Sequence, residues 1–371
     1  MPDKNRFFNI PKKYDLSDYK YSINCIVKKY SDSEGLVSIY NWGLPSVPGI
    51  SDIDILFVFK KNAKHLSFPK RSFYMLDSKS RYLARHPFVF IDDDSFKRID
   101  YIYPSPNLDL LHGKRLNINK ISKRDSFYSK ISLLNDIIIR HYPRDFLEQF
   151  VSKQINVRDT LLRLNSLKYS IALMKDIAKE KRSEWSKIVN DVEKLRQNWF
   201  KSNNFELLVS LNEKAVHTSL EITERFMGFL IENSFVDIKS GNYVKYEGIK
   251  NRTIFIKDWS IKDSLQEMAG SIIEKKKFFT ILPLALVPQL FEYSGYKGII
   301  SSHIRNNLSG KIEYSINHKK TIKKRIKILN SQAELALKLR HSDFPAFFDF
   351  GYRNKAGFNN IILRLLDYAR F

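Results

Sequence analysis

The sequence predicts an α/β (α+β) protein, with an N-terminal mixed sheet and flanking helices, then a helical segment and a small mixed C-terminal region. Residues 19–59 carry one apolar pattern with helical spacing, followed by two apolar segments with the spacing of strands. Residues 122–234 instead show helical spacing throughout. Because 43% of the 371 residues are hydrophobic, the chain is expected to fold around extensive cores.

In chain order, a helix is predicted over residues 19–31, because apolar residues share one face of it. A strand follows over LVSIYNWG and ends at Gly43, and a loop rich in Pro and Gly comes next. The segment IDILFVFK is apolar on both faces, which predicts a central strand. HPFVFID and KRIDYIYP are predicted as two further strands, joined by an acidic turn at residues 92–94.

The remainder of the chain is predicted to contain a run of helices and then mixed elements. Residues 122–234 form the run of helices, with a helix start at Pro143 and a break at Asn203 and Asn204. Beyond it we expect a hairpin of NYVKYEG and RTIFIKD, a helix over 260–277, a strand over FFTILP, a basic helix from His318, and a last helix over 358–371. Domains are therefore expected at 1–120, 121–235 and 236–371, the last of them basic.

The formal charge of +23 has two interpretations. It would attract polyanions, which include nucleic acid and an anionic membrane surface, or it reflects a biased composition whose lysines only solvate the surface. The basic helix from His318 carries Lys319, Lys320, Lys323, Lys324 and Lys327 and is a candidate for either partner.

Several absences in the sequence predict a cytoplasmic protein. The first residues contain no apolar core of a signal peptide, and the longest apolar run, residues 278–288, is too short to span a bilayer. The single cysteine, Cys25, excludes an internal disulfide, and no disulfide-linked partner is expected.

Two carboxylates at the start of the predicted central strand carry the functional signal. Asp52 and Asp54 are separated by one residue, so both project from the same face of an extended chain. Carboxylates so close repel each other unless a cation lies between them, and such oxygen ligands suit Mg²⁺. Gly43, at the end of the preceding strand, would let backbone amides approach a triphosphate.

Residues 39–59, IYNWGLPSVPGISDIDILFVF, resemble the nucleotidyltransferase superfamily, which is related to DNA polymerase beta. The resemblance rests on a strand that ends in Gly, a short loop, and Ser-Asp-hydrophobic-Asp opening an apolar strand. The matching residues are Gly43, Ser51, Asp52 and Asp54. It covers the N-terminal third of the chain only. Leu44 departs from the family pattern, which has Ser or Gly after the glycine, and Ser46 is the candidate to supply the hydroxyl.

The resemblance implies a third acidic residue on a neighbouring strand. Asp100, in KRIDYIYP, is the expected residue and Asp92 is the alternative. Asp52, Asp54 and Asp100 would then hold catalytic Mg²⁺, while Gly43, Ser46 and Ser51 would bind the nucleotide. If Asp100 is not the third ligand, it is expected at a strand edge, paired with Lys97 or Arg98.

The implied activity is the Mg²⁺-dependent transfer of a nucleoside monophosphate from a nucleoside triphosphate, ATP among them, to an acceptor hydroxyl, with release of pyrophosphate. The acceptor stays open among a small molecule, a glycan, an RNA and a protein. Two alternatives also remain. One is a degenerate domain that only binds nucleotide or RNA, and the other is a peripheral membrane enzyme that modifies lipid-linked glycans.

Overall fold

A computed structural model describes residues 5–43, 45–63, 66, 68–69, 72–85, 88–140, 144–239, 243–248, 251–256, 279–294 and 312–339. Leu44, Pro143 and the helices expected over 260–277 and 358–371 lie outside these residues. The elements in chain order are β1 (Arg6–Phe8), α1 (Leu16–Tyr30), β2 (Leu36–Trp42), β3 (Ile55–Phe59), α2 (Ser78–Ala84), β4 (Val89–Asp92), α3 (Asp93–Phe96), β5 (Leu108–Gly113), α4 (Lys123–Arg140), α5 (Arg144–Ser152), β6 (Gln154–Asn156), α6 (Val157–Ala178), α7 (Ser183–Ser202), α8 (Phe205–Glu232), β7 (Val236–Ile238), β8 (Tyr243–Gly248), β9 (Asn251–Ile256), β10 (Phe279–Pro283), α9 (Val287–Ser294), β11 (Ile312–Tyr314) and α10 (Ile316–Lys338).

The chain divides into two compact units. The first, here called the sheet unit, contains Lys13–Ser129, Tyr293, Ser294 and the described residues from Lys320 onward. The second, here called the helical unit, contains the residues before Lys13, then Lys130–Glu292 and residues 312–319. The division after Ser129 lies near the expected boundary at residue 120, whereas residues on both sides of position 235 belong to the helical unit.

The sheet unit is built on a four-stranded mixed sheet with the order β4-β3-β2-β5. The β2 strand is antiparallel to both β3 and β5, and β3 is parallel to β4. All five residues of β3 are buried, because the strand has a neighbour on each side and is covered on both faces. The predicted α/β (α+β) class and the central position of IDILFVFK are confirmed.

One face of this sheet packs against α1 and α2 and forms an aromatic core. Phe57 lies at its centre, 5.0 Å from Phe68, 5.2 Å from Phe88 and 5.8 Å from Phe90 between ring centroids. Helix α1 begins where the Asp15 side chain accepts hydrogen bonds from amides of the first turn, and the Asp18 carboxylate accepts a hydrogen bond from the Asp15 amide. The predicted helix over 19–31 is thereby confirmed, with its apolar face in the core.

The strand predicted over KRIDYIYP is wrong. Asp92 ends β4 and accepts a hydrogen bond from the amide of Ser95, so the acidic segment caps α3 and does not form a hairpin turn. The chain then forms a short 3-10 helix over Ile99–Tyr101. Ile99 and Ile102 are both fully buried and lie three residues apart, which is helical spacing. The apolar residues of this segment therefore pack as part of helical turns.

Gly113 and Gly43 offer a matched test of backbone strain, because both have positive φ, at +84° and +88°. A Cβ at Gly113 would lie 2.2 Å from the carbonyl oxygen of Val37, whereas a Cβ at Gly43 meets nothing within 4 Å. We expect Gly43→Ala to cost the conformational strain alone, about 1–2 kcal/mol. Gly113→Ala should add overpacking of about 1–3 kcal/mol. Urea denaturation of both variants would check this, and equal losses would contradict the clash.

The helical unit is a bundle of α5–α8 with small sheets attached. Asn203 adopts left-handed geometry after α7 and Asn204 caps α8, which confirms the break predicted at this pair. The hairpin of β8 and β9 is also confirmed, and β10 joins it parallel to β9. Strands β1 and β6 form a separate parallel pair, and β7 pairs with β11.

The basic helix expected from His318 is present as α10. Within the sheet unit, its apolar side chains Ile322, Ile328 and Leu329 are buried, so its lysines project from the opposite face. None of the helices that the structure describes is both long enough and apolar enough to cross a lipid bilayer.

Candidate functional site

Asp52 and Asp54 lie where β3 begins, at the sheet edge where β2 ends. The amide of Trp42 donates to the carbonyl of Asp54 at 2.8 Å, which extends the β2–β3 pairing one residue beyond the strand. Ile53, between the two acids, is 3% exposed and belongs to the aromatic core, whereas both acids are partly exposed. The alternation places both carboxylates on the face away from that core.

The loop between Gly43 and the two acids is fixed by buried hydrogen bonds. The hydroxyl of Ser51 accepts a hydrogen bond from the amide of Val47 at 3.1 Å and lies 3.4 Å from the Ser46 hydroxyl. Tyr19 of α1 donates to the carbonyl of Ser51 at 2.5 Å and accepts the amide of Gly49 at 3.0 Å. Ser51, 6% exposed, therefore organises the loop, while Ser46 is exposed to solvent.

Gly43 provides space beside the acids, but its amide is already used. The Gly43 amide donates to the carbonyl of Asn107 at 3.1 Å, and its carbonyl accepts from the Asn41 side chain at 2.5 Å. The open space where a Cβ would stand leaves room for a phosphate group to approach the backbone. Because the Gly43 amide is already bonded, a backbone amide that approaches a triphosphate here would belong to another residue of the loop.

Arg85 is a charged neighbour of Asp52 that the sequence argument did not select. Its Nη1 atom lies 3.8 Å from Oδ2 of Asp52, and both side chains are partly exposed. The amide of Ile53 donates to the carbonyl of Leu83 at 2.9 Å, so the C-terminal end of α2 is joined to the segment between the acids. Arg85 itself has φ +57°, a strained conformation of the kind that accumulates at functional sites. The proximity of Arg85 to Asp52 follows from the tertiary contact between the end of α2 and this loop, and no local sequence pattern indicates it.

Asp77 caps the helix that ends at Arg85. Burial opposes its ionisation, but hydrogen bonds from the Ser80 side chain and amide outweigh this effect and hold the pKa of Asp77 below its ordinary value. The cap therefore stays charged at neutral pH and fixes the start of α2.

The two candidates for a third carboxylate lie at the end of β4 and in the 3-10 helix between β4 and β5. Asp92 pairs in register with Phe59, which is at the opposite end of β3 from Asp54. At the rise of a strand, Phe59 lies roughly 15 Å from Asp54. Asp92 is 2% exposed and accepts from Ser331 as well as Ser95, so its role is structural. Asp100 lies in the short 3-10 helix and accepts the amide of Ser105 at 3.2 Å.

The donor set at the sheet edge fits Mg²⁺ through two carboxylates. Asp52 and Asp54 offer hard oxygen ligands with partial exposure, and Mg²⁺ commonly takes one or two carboxylates and completes its shell with water and phosphate oxygens. Within the part of the chain that the structure describes, no group of three or more His, Cys, Asp or Glu side chains is placed to hold a metal ion. The structure thus brings Gly43, Ser46, Ser51, Asp52 and Asp54 together, without Asp100 in such a group.

Comparisons with protein-family models, with curated proteins and with solved structures each give no match for this chain. The geometry of the β2–β3 edge and the pattern of residues 39–59 are therefore the features of this chain that bear on its function.

Proposed function

We propose that this protein is a Mg²⁺-dependent nucleotidyltransferase that moves a nucleoside monophosphate from a nucleoside triphosphate to an acceptor hydroxyl. The observation that supports it most is the pair Asp52 and Asp54 at the open edge of β3. There Gly43 leaves room for phosphate, and the buried hydrogen bonds of Ser51 and Tyr19 fix the loop. To position a phosphate–metal complex, a protein needs carboxylates that are already held in place before the complex binds.

In this mechanism Asp52 and Asp54 would hold Mg²⁺, which would supply neutralisation of the charge on the triphosphate and on the departing pyrophosphate. The exposed Ser46 hydroxyl donates to a phosphate oxygen. The acceptor oxygen forms a bond to the alpha-phosphorus while the bond from that phosphorus to the bridging oxygen breaks. The hydroxyl proton passes to solvent or to a nearby carboxylate. Arg85, whose guanidinium lies 3.8 Å from the Asp52 carboxylate, would pair with a phosphate oxygen of the nucleotide.

The activity is tested by incubating the full-length protein with cell extract and each common nucleoside triphosphate, labelled either at the alpha or at the gamma phosphate. We expect label to reach a product from the alpha position only, with Mg²⁺ and not with a chelator. Nuclease, protease and glycosidase treatment would then classify the acceptor. Transfer of gamma label alone would indicate a kinase and contradict the proposal.

One set of contacts supports a second candidate, a protein that binds a nucleotide without transferring it. The Gly43 amide is committed to Asn107, and Asp52 already has a cationic neighbour in Arg85. In that case calorimetry would detect nucleotide binding that does not depend on Mg²⁺, and no alpha label would move.

A further inference from the structure

A dense basic surface in the sheet unit lies on the first turn of α4 and the adjoining part of α10. Its basic residues are Lys120, Lys123, Arg124, Lys320, Lys323, Lys324 and Lys327, and we call it the α4–α10 basic surface. All seven are exposed. The segment from His112 to Arg124 contains no acidic residue, and none occurs in α10 before Glu334.

A single partly buried carboxylate joins the two helices. The carboxylate of Asp125 in α4 accepts hydrogen bonds from Nζ of Lys324 at 2.8 Å, from the Thr321 hydroxyl at 3.4 Å and from the Tyr101 hydroxyl at 3.0 Å. Burial opposes the ionisation of Asp125, but the hydrogen bonds from Lys324 and Tyr101 outweigh this and lower its pKa. Asp125 thus offsets the charge of Lys324 within the contact, and the surface keeps a net positive charge from its other six cations.

The lysines of α10 project from one face in helical register. Lys320, Lys323, Lys324 and Lys327 follow the spacing i, i+3, i+4 and i+7 and span about 10 Å of helix. On the opposite face Arg325 is fully buried and donates to the carbonyls of Tyr101 and Ile102. The orientation of the lysine face is therefore fixed by the packing of α10 against its own unit.

Lys123 and Arg124 add to the positive potential at the N-terminal end of α4. Both lie in the first turn of α4, where the amide dipoles already concentrate positive potential. Ser122 caps this turn by accepting the amide of Asp125 at 3.0 Å. Cations from two elements and a helix N-terminus together create a local field that attracts phosphate groups.

We propose that the α4–α10 basic surface binds the phosphate backbone of a nucleic acid duplex, without reading its sequence. A helix that lies on a membrane inserts an apolar face, but the apolar face of α10 is buried within the protein. Single strands are usually held by stacking aromatics, and the exposed aromatic side chains of the described residues, Phe8, Tyr21, Tyr74 and Tyr169, lie outside this surface. The α4–α10 basic surface instead presents closely spaced cations with neither an exposed apolar face nor stacking aromatics, and such cations match the charge density of a duplex.

The proposal is tested by fluorescence anisotropy with labelled DNA and RNA duplexes over a series of salt concentrations. The variant Lys320→Gln/Lys323→Gln/Lys327→Gln retains Lys324, so the contact with Asp125 is preserved. If each lysine neutralises one phosphate, the slope of log K against log salt should fall by about 2–3, with at least about 10-fold weaker binding at physiological salt.

A matched control removes the same charge from another helix. Lys187, Lys194 and Lys201 are exposed on α7 at seven-residue spacing, but Glu184, Asp191 and Glu193 lie among them. The variant Lys187→Gln/Lys194→Gln/Lys201→Gln should bind duplex as the unmodified protein does. Asp52→Asn should also bind normally, since the surface does not depend on nucleotidyl transfer, and a failure of that activity would leave this result unaffected.

Three outcomes would overturn the proposal. Equal losses in the α7 and α10 variants would mean that diffuse charge is responsible, and unchanged binding in the α10 variant would exclude the surface. Preferential sedimentation with phosphatidylserine vesicles over phosphatidylcholine vesicles, lost in the α10 variant and without duplex binding, would identify a membrane surface instead. Circular dichroism of each variant confirms that it is folded before binding is compared.

Discussion

Asp54→Asn is expected to reduce the rate of nucleotidyl transfer by at least about 10³-fold, because it removes a charged ligand from the cation that stabilises the transition state. Asparagine has nearly the same volume and retains one oxygen, so the fold of the β2–β3 edge should be unaffected. The rate would be measured with the alpha-labelled nucleotide that the unmodified protein transfers. Asp52→Asn should show a loss of the same order, since Asp52 provides the other carboxylate of the pair.

Asp109→Asn provides the control for that experiment. Asp109 is an exposed carboxylate of β5 at the same end of the sheet, and it pairs with Asn41, which also pairs with Ile55. Paired residues point to the same face, so Asp109 faces away from Asp54, the neighbour of Ile55. We expect Asp109→Asn to leave the rate unchanged. An equal loss in both variants, or full activity of Asp54→Asn, would contradict the proposed site.

Phe57→Ala should destabilise the sheet unit by about 3–5 kcal/mol, the usual cost of removing a buried phenyl ring. The ring is fully buried in β3, and it lies within 6.0 Å of four other aromatic ring centroids. The loss would be measured as a fall in the protection of amides in β2, β3 and β4 against hydrogen exchange, in a series of urea concentrations.

Phe8→Ala is the matched substitution on the surface. Phe8 is 45% exposed at the end of β1, in the helical unit. Its replacement should change stability by no more than about 0.5 kcal/mol and leave the amides of β2–β4 protected. If Phe57→Ala also cost so little, the aromatic core would not be what holds the β3 edge and its carboxylates in place.

The sequence predicted the sheet and the carboxylate pair because both depend on local periodicity. Five consecutive apolar residues in IDILFVF required cover on both sides, so its central position followed from composition alone. The alternation of Asp52, Ile53 and Asp54 fixed which side chains share a face. The break at Asn203 and Asn204 was equally local, since both residues favour helix ends.

The third carboxylate could not be predicted in the same way. KRIDYIYP has the composition of a strand, and only the cap that Asp92 forms on α3 shows that the segment continues as helical turns. Local propensity gave way here to a capping hydrogen bond and to the burial of Ile99 and Ile102. The parallel pairing of β3 with β4 then placed Asp92 at the wrong end of the sheet.

By itself the sequence determined which residues form the β2–β3 edge, since alternation and apolar runs act over a few neighbouring positions. Only the tertiary structure decided which charges meet there. It placed Arg85 beside Asp52 across 33 positions of chain, committed the Gly43 amide to Asn107, and brought α10 against α4 through Asp125. Contacts between distant segments depend on how whole elements pack, and no local pattern of residue types encodes that packing.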